Sequence, residues 1–138
     1  MKELNNSIDL LNSIKLNLIP DLYIFPDKYA PIDSYSFKKN LWIEVKFREN
    51  MWYDIMIEKH KYDKIINIRN SRYIIAMKDN DLNKIKIFSF NFNQLEYPVW
   101  KWETRLISNE HPEKGWEDVE VAYFHVRYAQ DISNLLLK

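Results

Sequence analysis

Residues 41–49 read LWIEVKFRE, and the alternation inside this run decides which fold the chain builds. Successive side chains of a strand point to opposite faces, so Leu41, Ile43, Val45 and Phe47 make one apolar face. Trp42, Glu44 and Lys46 share the other. The preceding stretch also has period two, with Asp33, Tyr35 and Phe37 on one face and Ile32, Ser34 and Ser36 on the other. With Lys38, Lys39 and Asn40 as a polar turn, the two segments predict a β-hairpin. A turn at Lys39-Asn40 sets Tyr35 opposite Glu44 and Asp33 opposite Lys46, and leaves Asp33 and Glu44 on a diagonal of roughly 7–8 Å. A four-residue loop over 37–40 instead sets Asp33 directly opposite Glu44. Either register keeps Asp33, Glu44 and Lys46 on one surface, whereas a three-residue loop separates them.

Outward from the hairpin, Leu4, Ile8, Leu11, Ile14 and Leu18 recur at helical spacing and predict a first amphipathic helix that stops before Pro20. Residues 20–31 carry three prolines and read as an extended or irregular connection. Over 53–69 the absence of Gly and Pro and the spacing of Ile57, Tyr62, Ile65 and Ile66 predict a helix starting after Ile57. SRYIIAM (71–77) and KIKIFSF (84–90) read as strands joined by the turn-like KDNDLN. Residues 91–117 read as a long connection with little regular structure, which Trp100, Trp102 and Trp116 are expected to pack onto the domain, the other reading being that they stack on bases or a partner protein. VEVAYFHV (119–126) alternates as a last strand, and 129–137 closes with a short helix. The expected fold is α/β (α+β), a mixed central sheet flanked by helices, in one domain over 1–138.

Composition narrows the chemistry. The chain holds 20 basic and 20 acidic side chains, so no overall positive field holds a polyanion, and nucleic-acid binding requires a local patch. Its single glycine, Gly115, excludes a phosphate loop or dinucleotide fingerprint, which need several. The absence of cysteine excludes disulfides and thiolate metal sites. His111 and His125 have no partner at ligand spacing, which argues against zinc, and no serine sits in a glycine-flanked elbow. No run approaches the roughly 20 apolar residues of a membrane span. A cytoplasmic protein without a membrane partner is expected.

Two carboxylates and a lysine on one face form a chemically pointed set. Mg2+ or Mn2+ is held by one or two carboxylates together with carbonyl oxygens and waters, and the Val45 carbonyl is the natural additional oxygen beside Asp33 and Glu44. A lysine at Lys46 orients the attacking water in phosphodiester hydrolysis. An apolar-Glu-apolar-Lys tetrad is also what a half-solvated strand produces, because alternating charges on the wet face are favourable.

Ile32-Asp33, a hairpin-sized gap and Ile43-Glu44-Val45-Lys46, followed by the helix around Lys59, Lys61 and Tyr62, resemble the PD-(D/E)XK nuclease superfamily. The resemblance covers residues 1–90 in element order and rests on three residues. It implies a restriction-endonuclease-like fold in which Asp33 and Glu44 bind the ion and Lys46 assists the water. No proline precedes Asp33; the literal pairs are Pro20-Asp21 and Pro26-Asp27, but only Asp33 falls on the hairpin partner strand. Glu3 is a further acidic candidate. Lys59, Lys61 and Arg48 are the candidate substrate-binding cations, with Lys38, Lys39 and Lys64 extending the strip. The expected activity is that of a small Mg2+-dependent DNA endonuclease of resolvase-like or phage type, with a homodimer open. The alternative is a non-catalytic protein- or nucleic-acid-binding module on the same scaffold, with 97–116 as its contact surface.

Overall fold

The computed structural model describes residues 4–27, 30 and 32–136, so Glu3 lies outside the described residues. Helix α1 (Ser7–Asn17) opens where the Asn6 side chain accepts the Asp9 N–H at 2.8 Å, while Asp9 accepts the Asn5 N–H in return. It buries Leu10, Leu11 and Ile14 and ends ahead of Pro20. The proline-rich connection contains a short strand, β1 (Leu22–Ile24), which pairs antiparallel with β2 (Ser34–Ser36). β2 pairs in turn with β3 (Leu41–Arg48).

The segment after β3 adds a strand ahead of the helix expected after Ile57. Asp54–Glu58 form strand β4, and helix α2 runs Lys59–Ile66 behind it. The alternation of buried Ile55 and Ile57 in DIMIE is a strand signal that the longer helical pattern hid. β5 (Ser71–Asp79) then lies parallel to β3, and β6 (Lys84–Phe90) returns antiparallel to it. Residues 91–117 are not an irregular connection, because they contain β7 (Lys101–Leu106) and the start of β8 (Trp116–His125). At the end of the chain β9 (Gln130–Asp131) precedes helix α3 (Ser133–Leu136).

The strands form two sheets, one of six in the order β1-β2-β3-β5-β6-β9 and one of three in the order β4-β8-β7. This is the expected α/β class: a mixed sheet with helices packed on it. Two hydrophobic clusters divide the six-stranded sheet by face. Ile43, Val45, Ile74, Ala76 and Ile87 bury against α1 and α3. Tyr73, Ile75, Met77 and Phe90 bury against α2 and the three-stranded sheet, through Tyr62, Ile65, Ala122 and Phe124. Tyr62, 2% exposed, stacks on Phe124 and meets Phe92 and Trp100. Filling both faces with side chains worth about 1.5–3 kcal/mol each makes β3 and β5 the spine of the molecule. Among the described residues no helix is long and apolar enough to cross a membrane.

The hairpin takes the four-residue loop. Ser36 pairs with Leu41, Tyr35 with Trp42 and Ser34 with Ile43, so the two-residue turn at Lys39-Asn40 is not adopted. Asp21 explains the choice: its carboxylate accepts the Ser36 hydroxyl at 2.9 Å and the Lys38 N–H at 2.9 Å, which clamps the loop from outside. Its pKa is lowered mainly by that Lys38 hydrogen bond. Asn40 closes the loop in the left-handed region at φ 48°, and Asn70 and Asn83 fill the other described non-glycine left-handed positions. In a chain with one glycine, asparagine takes its conformational role. We expect Asn40→Val to lower stability by about 1–2 kcal/mol, from left-handed strain and the lost Tyr35 hydroxyl contact, and Asn40→Gly to cost less. Urea denaturation of the two variants reads the difference, and equal losses contradict the account.

Candidate active site

β2 leaves the ladder at Ser34, and side chains continue it. The Asp33 Oδ2 accepts the Val45 N–H at 2.8 Å, and the Glu44 Oε1 accepts the Asp33 N–H at 3.1 Å. The Asp33 carbonyl accepts the Phe25 N–H at 2.9 Å. Asp33 is thereby fixed by three hydrogen bonds to two neighbouring segments. The chain turns at this residue: Ile32 is buried in the cluster on the α2 side instead of continuing the alternation with Ser34 and Ser36.

The consequence is a carboxylate pair, as the shared-surface reading requires. Burial, reinforced by the adjacent Asp33 carboxylate, pushes the Glu44 carboxyl up to about 8. Two acidic groups in such proximity are stable with a proton or a cation between them. Each carboxylate spends one oxygen on a backbone N–H, and the two carboxyl groups also hydrogen-bond to each other, a contact that a bound cation would replace. Val45 supplies the third donor. Within a strand the N–H and C=O of one residue face the same side, and the Val45 N–H is turned toward Asp33, beyond the end of β2. Two carboxylates and a carbonyl are the hard oxygen set that suits Mg2+ or Mn2+. Among the described residues no group of three or more His, Cys, Asp or Glu side chains offers a fuller cage.

Lys46 follows on the same face. Burial lowers its pKa, and the neighbouring Arg48 and Lys61 cations lower it further, against the opposing pull of Glu58 and Glu44. Among the described residues Lys46, Arg48 and Lys61 form no side-chain hydrogen bond or ion pair, although Lys46 stands near Glu44 and Glu58 and Lys61 near Glu44. All three line a cleft of about 510 Å³ between the six-stranded sheet and the β7–β8 hairpin. Lys59 does not line it: its ammonium is held by Asp63 at 2.8 Å and lies over the Trp100 ring. Asp33 and Glu44 do not line the cleft; Glu44 stands two residues before Lys46 on β3.

The opposite wall carries Trp116, from the 97–116 segment expected as a contact surface, and Arg105, which is not among the expected binding residues. Arg105 is aimed by Glu103 at 2.7 Å and by the Tyr123 hydroxyl at 3.0 Å. The signal was the alternation KWETRL, with Lys101, Glu103 and Arg105 on one face, obscured by the prolines and tryptophans around it. Trp100 packs on the core as expected, whereas Trp102 and Trp116 remain 67% and 66% exposed. Of the other polar candidates, His60 is exposed and pairs with Glu58, and His125 accepts the Arg127 N–H.

The raised Glu44 value has a thermodynamic signature. The folded protein keeps a proton that the unfolded chain releases near pH 4.5, so the stability it contributes is full below 4.5 and is lost as pH rises through about 8. Allowing for solvent at the half-open rim, we expect a loss on the order of 1–3 kcal/mol between pH 5 and 8.5 in chelator. Glu44→Gln keeps an oxygen for the Asp33 N–H and removes the titration, so its stability profile is flatter; an unchanged slope contradicts the assignment. No family model matches the chain, and no curated protein gives a significant match to it.

Proposed function

We propose that the chain is a divalent-metal-dependent nuclease that hydrolyses phosphodiester bonds in DNA. The observation that carries the reading is the convergence of Asp33 and Glu44 at the end of β2, with Lys46 on the same face at the mouth of a cleft. The element order of helix, hairpin, helix and strand over residues 1–90 supports it, with β4 inserted before the second helix.

Asp33, Glu44 and the Val45 carbonyl hold Mg2+ or Mn2+ in this reading. When bound, the ion polarises a phosphoryl oxygen and acidifies a coordinated water. Lys46 orients the attacking water. Its lowered pKa makes the neutral amine more accessible, and a neutral amine can accept the proton that the water loses. Arg48 and Lys61, which form no ion pair among the described residues, bind the phosphates flanking the scissile bond in this reading. Lys46, Arg48, Lys61 and Arg105 line the cleft together with Glu58, Glu103 and Glu117, so phosphate contact rests on the individual cations and not on a net positive field.

In Mg2+ or Mn2+, Lys46→Ala and Glu44→Gln are each expected to lower cleavage of a panel of supercoiled, branched and linear DNA by at least about a hundredfold, with unchanged circular dichroism. Titration calorimetry with Mn2+ should show binding that Asp33→Ala and Glu44→Gln each weaken. Undiminished cleavage by Lys46→Ala contradicts the role given to that residue. No metal binding and no cleavage by the parent chain favours the non-catalytic module.

A further inference from the structure

The two walls of the cleft differ in origin and agree in chemistry. Arg48 and Lys61 stand on one side, without ion pairs among the described residues, and Arg105 on the other, held in place by Glu103 and Tyr123. The Arg105 Nε is itself buried without a hydrogen-bond partner, so the guanidinium has donor capacity left. Trp116 also lines the cleft, two-thirds exposed, and no described aromatic ring packs on it. Glu58, Glu103 and Glu117 also line the cleft, and Glu103 is paired with Arg105, but a guanidinium on each wall can still take a phosphate running between them. An indole face left open to solvent suits a base stacked against it.

Size decides the form of the nucleic acid. A space of about 510 Å³ is in the range of small-ligand pockets, roughly 300–1,000 Å³, and takes nucleotide-sized groups. A duplex, whose major groove alone is about 12 Å wide, is far larger than a space of that volume. A duplex therefore does not enter between the walls; an unpaired strand does. A base can reach the Trp116 face only when it has no pairing partner in the way.

We propose that the cleft binds an unpaired DNA strand, with Arg48 and Arg105 gripping its phosphates from opposite walls and Trp116 stacking on a base. Resting on the nuclease reading above, this names the substrate as a single-stranded tail, flap or gap. The strand enters past the β7–β8 hairpin and presents a phosphate to Lys46 at the end of the cleft. Arg105 and Trp116 are binding residues of this strand.

The test is fluorescence anisotropy of the full chain with a labelled single-stranded oligonucleotide and with the blunt duplex of the same sequence, in chelator so that nothing is cut. The single strand is expected to bind at least about tenfold more tightly than the duplex. Trp116→Ala should lose about tenfold in single-strand affinity and Trp116→Phe should recover most of it, a pattern that a purely structural residue does not give. Arg105→Lys, which keeps the charge and removes the fork, should weaken binding and reduce its salt dependence less than Arg105→Ala. Equal or tighter duplex binding, unchanged affinity in Trp116→Ala, or no binding to either DNA overturns the proposal. Single-strand binding without cleavage in Mg2+ sinks only the nuclease reading, whereas Lys46-dependent cleavage confined to duplex sinks only the strand preference.

Discussion

The exchange of hydrogen bonds where β2 ends is the constraint on which the rest of the site depends. A strand that leaves a sheet strands backbone donors on its neighbour, and each must find an acceptor or remain solvated. Here the Val45 N–H finds the Asp33 carboxylate and the Asp33 N–H finds the Glu44 carboxylate. Two acidic side chains are thus drawn together by the geometry of the ladder despite their mutual repulsion. The unfavourable proximity appears as the raised pKa of Glu44, whose largest cause is burial. Local strand termination and site chemistry are one arrangement seen at two scales.

Around that pair the charge distribution is uneven. Much of the surface charge is spent in local pairs, such as Lys59 with Asp63 and Lys78 with Glu49, which contribute little to stability where exposed. Lys46, Arg48 and Lys61 instead form no ion pair among the described residues and line one side of the cleft. Their crowding lowers the Lys46 pKa beyond what burial alone does. A phosphate entering there relieves repulsion among cations that the fold has already brought together, so binding recovers part of the electrostatic cost of the empty arrangement.

The three-stranded sheet makes this arrangement a cleft. β4 leads from the main sheet into α2 and pairs with β8, so the sheet carrying Arg105 is joined to the strand that runs into the Lys61 helix. Tyr62, Phe124, Phe90 and Phe92 fill the space between the layers away from the opening. The aromatic wedge holds the layers together at one end, while the polar residues at the other leave room for a ligand. The Glu103, Tyr123 and Arg105 bonds stiffen the outer wall, which is otherwise a two-stranded extension with exposed indoles on it.

Period-two alternation in 41–47 by itself determined that Glu44 and Lys46 share a face and that Val45 points into the core, because side-chain direction along a strand is a local property of the backbone. The long strands 71–77 and 84–90 were legible for the same reason, and so was the helix beginning after Ile57. Register was not local: both turn lengths satisfied the alternation, and the clamp from Asp21, 17 residues before Lys38, selected the longer loop. DIMIE and KWETRL were obscured because short half-exposed strands carry few apolar residues and become stable only when β8 lies between them. Tertiary structure alone decided that Arg105 and Trp116 face Arg48 and Lys61 across a gap. Residues more than 40 positions apart meet through packing of whole layers, and no periodicity in either segment encodes the other's position.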